Sequence, residues 1–433
     1  MSTISYQSPR GTKDILPKEQ PYWQILIDTS KKVLSGLGFD RIDTPTFENI
    51  DLFTKSIGSD TDIVAKEMFR LESSRDSDEQ AIYALRPEGT AGIVRAFIQN
   101  GMSSLPQPVR LYYMGKMFRH ERPQKGRLRE FNQIGAEIFG DASAKSDYLV
   151  IMSAWEILTR LGLKDLKVYA NSIGCSICRP KYLAKLKKYY KEELGNMCED
   201  CQTRFAQNPL RLLDCKNDFC QKITQKAPGI LDMLCKTCRD HFQDTLEYLD
   251  YFDIKYDLDS KLVRGLDYYT NTVFEIASKD DNSRNNVVCG GGRYNNLVKL
   301  FNGPDTPAVG FSIGAERVVS LLIEQKIKVP AIRGVEVCIL QLGEKAKEVS
   351  KHIYDQLAHN DINVYFVPSD EGLRQQIRFA DKLGAKYAVI IGQKEAFKDE
   401  IILRDLEASS QEVFPTSGLV TEIKRRFERC QCK

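Results

Sequence analysis

The chain has 433 residues, 42% of them hydrophobic and 28% charged, which at roughly 150 residues per domain is globular material for about three domains. A net charge of +3 excludes a protein that binds nucleic acid through bulk electrostatics, so any such partner must be held by local basic patches. No apolar run is long enough to span a bilayer and the N-terminal MSTISYQSPRGTKDILPKEQ lacks the apolar core of a signal peptide, which predicts a cytoplasmic protein with no membrane partner.

In chain order, EQPYWQILIDTSKKVLSGLGF reads as an amphipathic helix closed by glycine and feeds a short strand, DRIDTP. From about 50 to 170, strands, hairpins and helices mix without a βαβ rhythm, which predicts an α+β domain with a mainly antiparallel sheet. Residues 172–250 change character, with cysteine pairs and lysine-rich helical stretches such as RPKYLAKLKKYYKEELGN. Strand-forming sequence resumes at Val263, so this segment reads as a helical insertion dividing the first domain into 1–171 and 251–328. After the KVPAIRG linker, the apolar strands VEVCILQL, INVYFV and YAVIIG alternate with helical patterns, predicting an α/β domain over 334–433 with a mainly parallel sheet.

Between the strand-like ends of VRLYYMGKMFRHERPQKGRLREFNQIGAEIFG lies a loop carrying Arg119, Arg122, Lys125, Arg127 and Arg129. Cations so crowded repel one another unless an anion sits among them, and arginine's planar fork suits phosphate; the plain alternative is a solvated loop. On the return strand Ile134, Ala136 and Ile138 form an apolar face, and Gln133, Gly135 and Glu137 the opposite one. An amide and a carboxylate flanking a bare glycine read as the floor of a pocket, with Gly135 leaving room for a ligand. In LRPEGTAGIVRAF, Pro87 and Gly89 turn the chain, exposing Glu88 and Thr90 ahead of a helix that starts near Ala91. That pair suits an ammonium group, and Thr90 is also placed to cap the helix.

LVRGLDYYTNTVFEI sets Arg264 before two tyrosines and a strand that alternates as if half-buried from Tyr268 onward. Taken alone, Arg264 is a solvated rim residue. The glycine run of CGGGRYNNL, Gly290 to Gly292, lets backbone approach a flat ligand. In AVGFSIGAERVVSLL a strand ends at Gly314 and a helix starts near Ala315, with Arg317 in its first turn where the dipole favours anions. None of these fits a P-loop or dinucleotide fingerprint.

Taken together, these stretches resemble the bacterial-type histidyl-tRNA synthetases over almost the whole chain. PRGTKD and the helix leading to TPTFE match the family's opening and motif 1; FRHERPQKGRLREFNQIGAEIFG resembles motif 2 and GFSIGAERV motif 3 of class II synthetases; LVRGLDYYTNTVFEI and CGGGRYNNL resemble the two histidine-specific segments. The resemblance implies histidine, ATP with Mg²⁺, and the tRNA for histidine as ligands, a homodimer formed through motif 1, and a C-terminal anticodon-binding domain. It further implies catalytic roles for Arg264 and Arg119; histidine contacts from Glu88, Gly89, Thr90, Gln133, Glu137, Tyr268 and Tyr269; and ATP contacts from Arg119, Glu121, Arg127, Phe131 and Arg317, with Gln124 and Arg129 near the tRNA acceptor end. Two rivals share the fold: a catalytically inactive regulatory paralogue, which loses catalytic arginines, and a tRNA-sensing module joined to a kinase, whose glycine loop and H-R-D stretch are missing from this sequence.

The family gives no general role to the cysteines. Cys175/Cys178, Cys198/Cys201 and Cys235/Cys238 are C-x2-C pairs and Cys215/Cys220 a looser one. Pairs three apart grip one side of a tetrahedral ion, so the eight are expected to hold up to two structural zinc ions in an insertion with little apolar core of its own; the spacing leaves open which pairs share an ion. The bland alternative is a set of reduced, buried thiols.

Overall fold

The computed structural model describes residues 6–58, 61, 63–71, 82–123, 126–278, 287–330, 334–367 and 372–431. The chain divides into two compact units, Met1–Val329 and Pro330–Lys433. Of the loop residues singled out above, Gln124 and Lys125 lie outside the described residues, as do 331–333 of the linker.

In the first unit the strands run β1 (Asp40–Arg41), β2 (Phe47–Asn49), β3 (Arg70–Leu71), β4 (Tyr83–Leu85), β5 (Val109–Phe118), β6 (Glu130–Phe139), β7 (Leu166–Ser172), β8 (Tyr256–Leu258), β9 (Thr270–Ser278), β10 (Val287–Arg293) and β11 (Ala308–Gly314). The main sheet has the order β1-β5-β6-β11-β10-β9-β7-β8. Its long central pairings are antiparallel, and only the short β1 and β8 run parallel to their neighbours. A small antiparallel sheet, β2-β4-β3, stands apart.

The main sheet's two faces do different work. Ile134, Ala136 and Ile138 of β6, Val309, Phe311 and Ile313 of β11, and Phe274 and Ile276 of β9 point into one core. That core is closed by α1 (Gln20–Gly36), whose Trp23, Leu26, Val33 and Leu34 are spaced along one helical stripe. The chain leaves α1 through Gly38 at φ +76°, a conformation glycine adopts without strain. Along the chain follow α2 (Ile50–Ile57), α3 (Thr90–Gln99) and α4 (Ala144–Arg160), and the last of these covers the same face of the sheet. On α4, buried Asp147 accepts from Arg293 of β10, itself 1% exposed, and from His241, locking helix to sheet. The opposite face carries a second apolar cluster along part of its length and is open elsewhere.

The insertion comprises α5 (Cys178–Glu193), α6 (Glu199–Gln207), α7 (Asp218–Gln225) and α8 (Lys236–Tyr251) with short 3₁₀ turns between them. It has more apolar core than its composition indicates: Tyr182, Leu186, Tyr190, Met197, Leu212, Leu213, Ile230 and Leu234 pack together with the buried cysteines. The expectation of little core fails because the lysines of α5 all lie on one side, leaving positions 178, 182, 186 and 190 as a buried stripe of four-residue period.

In the second unit, β12 (Val337–Gln341), β13 (Val364–Phe366) and β14 (Tyr387–Ile391) form the parallel set read from the sequence. Two strands that reading did not assign, β15 (Glu400–Asp405) and β16 (Gln411–Pro415), extend the sheet antiparallel to the order β13-β12-β14-β15-β16. Among the described residues no helix is long and apolar enough to cross a membrane.

Candidate active site

The open part of the main sheet's second face is a cavity of about 210 Å³. Strand register explains its floor. Tyr113, Gly135, Ser312, Gly290 and Glu275 lie opposite one another across five strands, and Leu111, Glu137, Gly310, Gly292 and Val273 form the next row. Each row is rich in glycine, and the clearance goes to the protein's own side chains. A methyl group on Gly310 would overlap the Glu137 carboxylate, and one on Gly290 the Arg264 guanidinium. One on Gly135 or Gly89 would strike the Tyr113 ring. The expected ligand space above Gly135 is thus filled by Tyr113. The clearance over the glycine run of β10 is likewise taken up by the protein: Gly290 underlies Arg264, Gly291 abuts Gly310 and Phe274, and Gly292 meets Thr272 and Tyr269.

Glu137 is buried at the centre of this floor. Its Oε1 accepts from the Thr90 hydroxyl at 2.8 Å and its Oε2 from the Tyr294 hydroxyl at 2.5 Å. Burial pushes its carboxyl up to about 8, against the pull of those two hydrogen bonds. Glu88 is buried as well and accepts from the backbone N–H of Thr90 and Ala91 at 2.7 and 2.8 Å. Glu88 therefore caps α3, which begins at Thr90, and the hydroxyl of Thr90 goes to Glu137 instead of the helix end. Burial raises the Glu88 carboxyl above its usual range, while the two backbone N–H groups and Arg119 oppose the rise. Gln133 Oε1 is buried without a hydrogen-bond partner among the described residues, which marks it as an acceptor facing the cavity.

Tyr268 and Tyr269 precede β9, which starts at Thr270 and is almost wholly buried, not half-buried. Their rings lie 4.7 Å apart, with Tyr268 edge-on to Tyr294 at 5.5 Å. Arg264 is no rim residue. It reaches over Gly290, pairs with Glu275 and lines the cavity. On the same wall Arg119 donates from Nε to the Pro87 carbonyl at 2.8 Å and lies over the Phe131 ring at 5.3 Å.

The cavity thus gathers Glu88, Thr90, Arg119, Gln133, Glu137, Arg264, Tyr268 and Tyr269. Gly89, Glu121, Arg127, Phe131 and Arg317 are outside its lining. Glu121 ties Arg127 at 3.2 Å to Arg119 at 3.9 Å, and Arg317 donates to the carbonyls of Gly126 and Val287. These groups make a cationic annex joined to the cavity through Arg119. Arg129 donates to the Glu121 carbonyl at 3.2 Å, so it braces the loop. A larger cavity, about 530 Å³, adjoins at Val263, Arg264 and Leu266 and is lined from the insertion by Arg179, Lys187 and Arg211.

Sequence reasoning missed Tyr113, Tyr294 and Glu275. Tyr294 follows the glycine run directly, and Tyr113 sits across from Gly135 once the hairpin is drawn in register, so both signals were present. Glu275 had none beyond being a carboxylate in a β-branched strand.

Comparison with known proteins bears on all of this. The histidyl-tRNA synthetase family description matches residues 11–178 and 182–318, and that of an anticodon binding domain matches 336–426. The chain is 42% identical over 418 residues to a histidine–tRNA ligase of Desulforamulus reducens, covering 96% of this chain and 99% of that one. It is 41% identical to that of Dehalococcoides mccartyi, covering 98% and 100%. The apo crystal structure of S. aureus histidyl-tRNA synthetase superimposes with a TM-score of 0.80 at 31% identity, covering 97% of this chain and 100% of that one. With its class II sheet, its cysteine-bearing helical region and its C-terminal mixed sheet, the chain belongs to the histidyl-tRNA synthetase family.

Proposed function

We propose that this chain activates histidine with ATP and transfers it to the 3′ end of its tRNA, and that the cavity on the main sheet holds the amino acid. The observation that carries the assignment of the pocket is Glu137: a buried carboxylate pinned by two hydroxyls, beside the unpartnered oxygen of Gln133 and on the same floor as two arginines. A histidine fits that set. Glu137 accepts the imidazole N–H, with Tyr268 and Tyr269 bordering the ring. Glu88, Thr90 and Gln133 meet the α-ammonium, with Gly89 giving the turn that presents them. A buried acceptor of this kind discriminates against apolar side chains of similar size, which would leave it unpaired.

ATP enters as its Mg²⁺ complex. The histidine carboxylate attacks the α-phosphorus and pyrophosphate departs, leaving histidyl-adenylate. Arg264 and Arg119 face the negative charge that grows on the α-phosphate oxygens, a preorganised electrostatic role. Phe131 takes the adenine ring, and Glu121, Arg127 and Arg317 the ATP ribose and phosphate region. In the second step a hydroxyl of the tRNA's terminal adenosine attacks the adenylate carbonyl and AMP leaves. Anticodon recognition falls to the second unit, as its family description implies.

The regulatory paralogue is the weaker reading because Arg119 and Arg264 both line the cavity. Two copies are expected to pair through the first unit, where Phe47, Leu71, Ile82 and Tyr83 of the small sheet and its margin are exposed apolar surface. No disulfide joins the described cysteines, in keeping with a cytoplasmic site of action. Histidine-dependent exchange of pyrophosphate into ATP tests the activity: exchange with histidine alone among the amino acids is expected, and no exchange by folded protein overturns it.

A further inference from the structure

The eight cysteines of the insertion fall into two tetrads in space, and the pairing is not the one chain order would give. Cys175 and Cys178 join Cys235 and Cys238, while Cys198 and Cys201 join Cys215 and Cys220; within each tetrad all four sulfurs lie within 4.8 Å of one another. The spacing is informative. Four thiolates about 2.3 Å from a tetrahedral zinc are about 3.8 Å from each other. The Sγ–Sγ separations are 3.7 Å for Cys175–Cys178, 4.0 Å for Cys175–Cys235 and 3.8 Å for Cys198–Cys215. A disulfide would bring two sulfurs to about 2.05 Å.

The surroundings are those of thiolates. Backbone N–H groups point at sulfur from Cys235 to Cys178 at 3.0 Å, from Ile177 to Cys175 at 3.4 Å and from Cys198 to Cys220 at 3.3 Å. Such donors orient ligands and offset their charge in metal centres. Five of the eight residues are buried and no carboxylate or imidazole enters either set, a soft donor set that selects zinc or iron over Mg²⁺ or Ca²⁺.

We infer that the insertion holds two separate tetrathiolate zinc centres, and that the Cys175/Cys178/Cys235/Cys238 centre also positions the tyrosines of the histidine pocket. The second half of this inference rests on the pocket assignment made above. Each centre takes one Zn²⁺ on four thiolates and releases the thiol protons to solvent. The two centres differ in what they touch. Cys175 follows β7 of the main sheet by three residues and Cys235 precedes α8, so the first centre ties the insertion's exit to its return. Three contacts run from that base to the segment carrying Tyr268 and Tyr269. Asn271, in the left-handed region at φ +48°, donates from Nδ2 to Cys238 Sγ at 3.5 Å and from its backbone N–H to the Gly174 carbonyl at 3.1 Å. Arg179, next to Cys178, donates to the Tyr269 carbonyl. The second centre joins α6, α7 and the turn between them; Asn208 and Arg211 of that turn bond Asp267 at 3.0 Å and the Gly265 carbonyl at 2.8 Å, contacts that stop short of Tyr268 and come from the turn and not from the thiols.

Metal analysis of the full-length protein purified without chelator is expected to give close to two zinc ions per chain. Under half an equivalent, with eight thiols titrating freely in the folded state, overturns the centres while leaving the ligase reading intact; iron in place of zinc overturns the metal. Cys198→Ser with Cys215→Ser is expected to remove one zinc and leave the histidine KM within about twofold of the parent. Cys235→Ser is expected to remove one zinc and raise the histidine KM about tenfold with the ATP KM unchanged, the scale of losing an outer support. Cys235→His, which keeps a zinc ligand, is expected to restore both zinc and KM, and it serves as the test if the serine variant does not fold. Loss of zinc from the first centre with an unchanged histidine KM overturns the positioning role alone.

Discussion

The two sheets of this molecule dispose of their faces in opposite ways. In the second unit, Val337 and Ile339 of β12 and Tyr387, Val389 and Ile391 of β14 enter one core, while Cys338, Leu340, Ala388 and Ile390 enter another on the reverse side. Both faces are spent on packing, as a parallel set demands, so recognition by this unit must use its edges, loops and helix surfaces. The main sheet of the first unit is antiparallel and spends one face on its core. That leaves Glu137, Gln133, Glu275 and the glycine rows free to build a pocket on the other. Chemistry sits where the fold leaves a rigid sheet face uncovered.

Removing the cation on that face tests the point most severely. Arg264→Ala is expected to lower histidine-dependent pyrophosphate exchange about 10²–10³-fold, the effect of losing one preorganised contact to developing charge. The thermal midpoint is expected to fall as well, because the mostly buried Glu275 loses its ion-pair partner, so exchange is compared at a temperature where both proteins are folded. Exchange within a few-fold of the parent removes Arg264 from the catalytic role.

The next effect belongs to Glu137. Glu137→Gln is expected to lower kcat/KM for histidine about 10–100-fold, since Glu137 gives up its proton as it accepts the imidazole N–H and so forms a charge-assisted bond that an amide cannot make, and to leave the ATP KM nearly unchanged. Its stability effect has the opposite sign. The unfolded chain loses this proton near 4.5 and the folded protein near 8, so between those values the folded state holds the extra proton and stability falls as pH rises. The variant is free of that cost. Its unfolding free energy relative to the parent is expected to climb from pH 5 to 8, by at most about 1.4 kcal/mol per pH unit, and to level off above. Equal rises in both Michaelis constants count against Glu137 as the reader of the side chain.

Removal of the second unit makes a smaller and more selective change. A chain ending at Val329 keeps every residue that lines the cavity, and pyrophosphate exchange is expected within about twofold of the parent. Charging of tRNA is expected to fall about 10–100-fold in kcat/KM, the scale of losing a few base contacts. Full charging by a stable truncated protein ends the anticodon role.

How much of this contrast the sequence discloses depends on the range of the interaction. Alternation along β6 separates Ile134, Ala136 and Ile138 from Gln133, Gly135 and Glu137 because period two is local. The helix starting at Ala315 and the three parallel strands of the second unit are legible for the same reason. What escapes is set by contacts across strands. That Gly135 clears space for Tyr113, and Gly290 for Arg264, depends on register between segments far apart in sequence. Thr90 as a partner of Glu137 spans 47 positions, so its local reading as a helix cap was the natural error. The thiol tetrads are the extreme case: spacing supplies the pairs, and only the fold joins the first pair to the last.

The smallest expected effect isolates what the glycine rows do. At Gly290 the nearest atoms an added methyl meets are the far end of the Arg264 side chain, whereas at Gly291 they include the Gly310 carbonyl and the backbone of Phe311. Gly290→Ala therefore leaves the β9–β10–β11 ladder intact and pushes the guanidinium off its seat. Pyrophosphate exchange is expected to fall a few-fold to about tenfold at an unchanged thermal midpoint, less than in Arg264→Ala because a displaced arginine still contributes charge. Gly291→Ala is expected to cost about 1–3 kcal/mol of stability, since backbone cannot step aside. The decisive measurement is the double variant. If Gly290 acts only by seating Arg264, then Gly290→Ala in an Arg264→Ala background changes exchange no further, a complete failure of additivity between two residues in contact. A loss that instead multiplies through the double variant shows that the glycine serves the sheet or a ligand directly, and the cleared floor would then have to be credited to something other than the arginine standing on it.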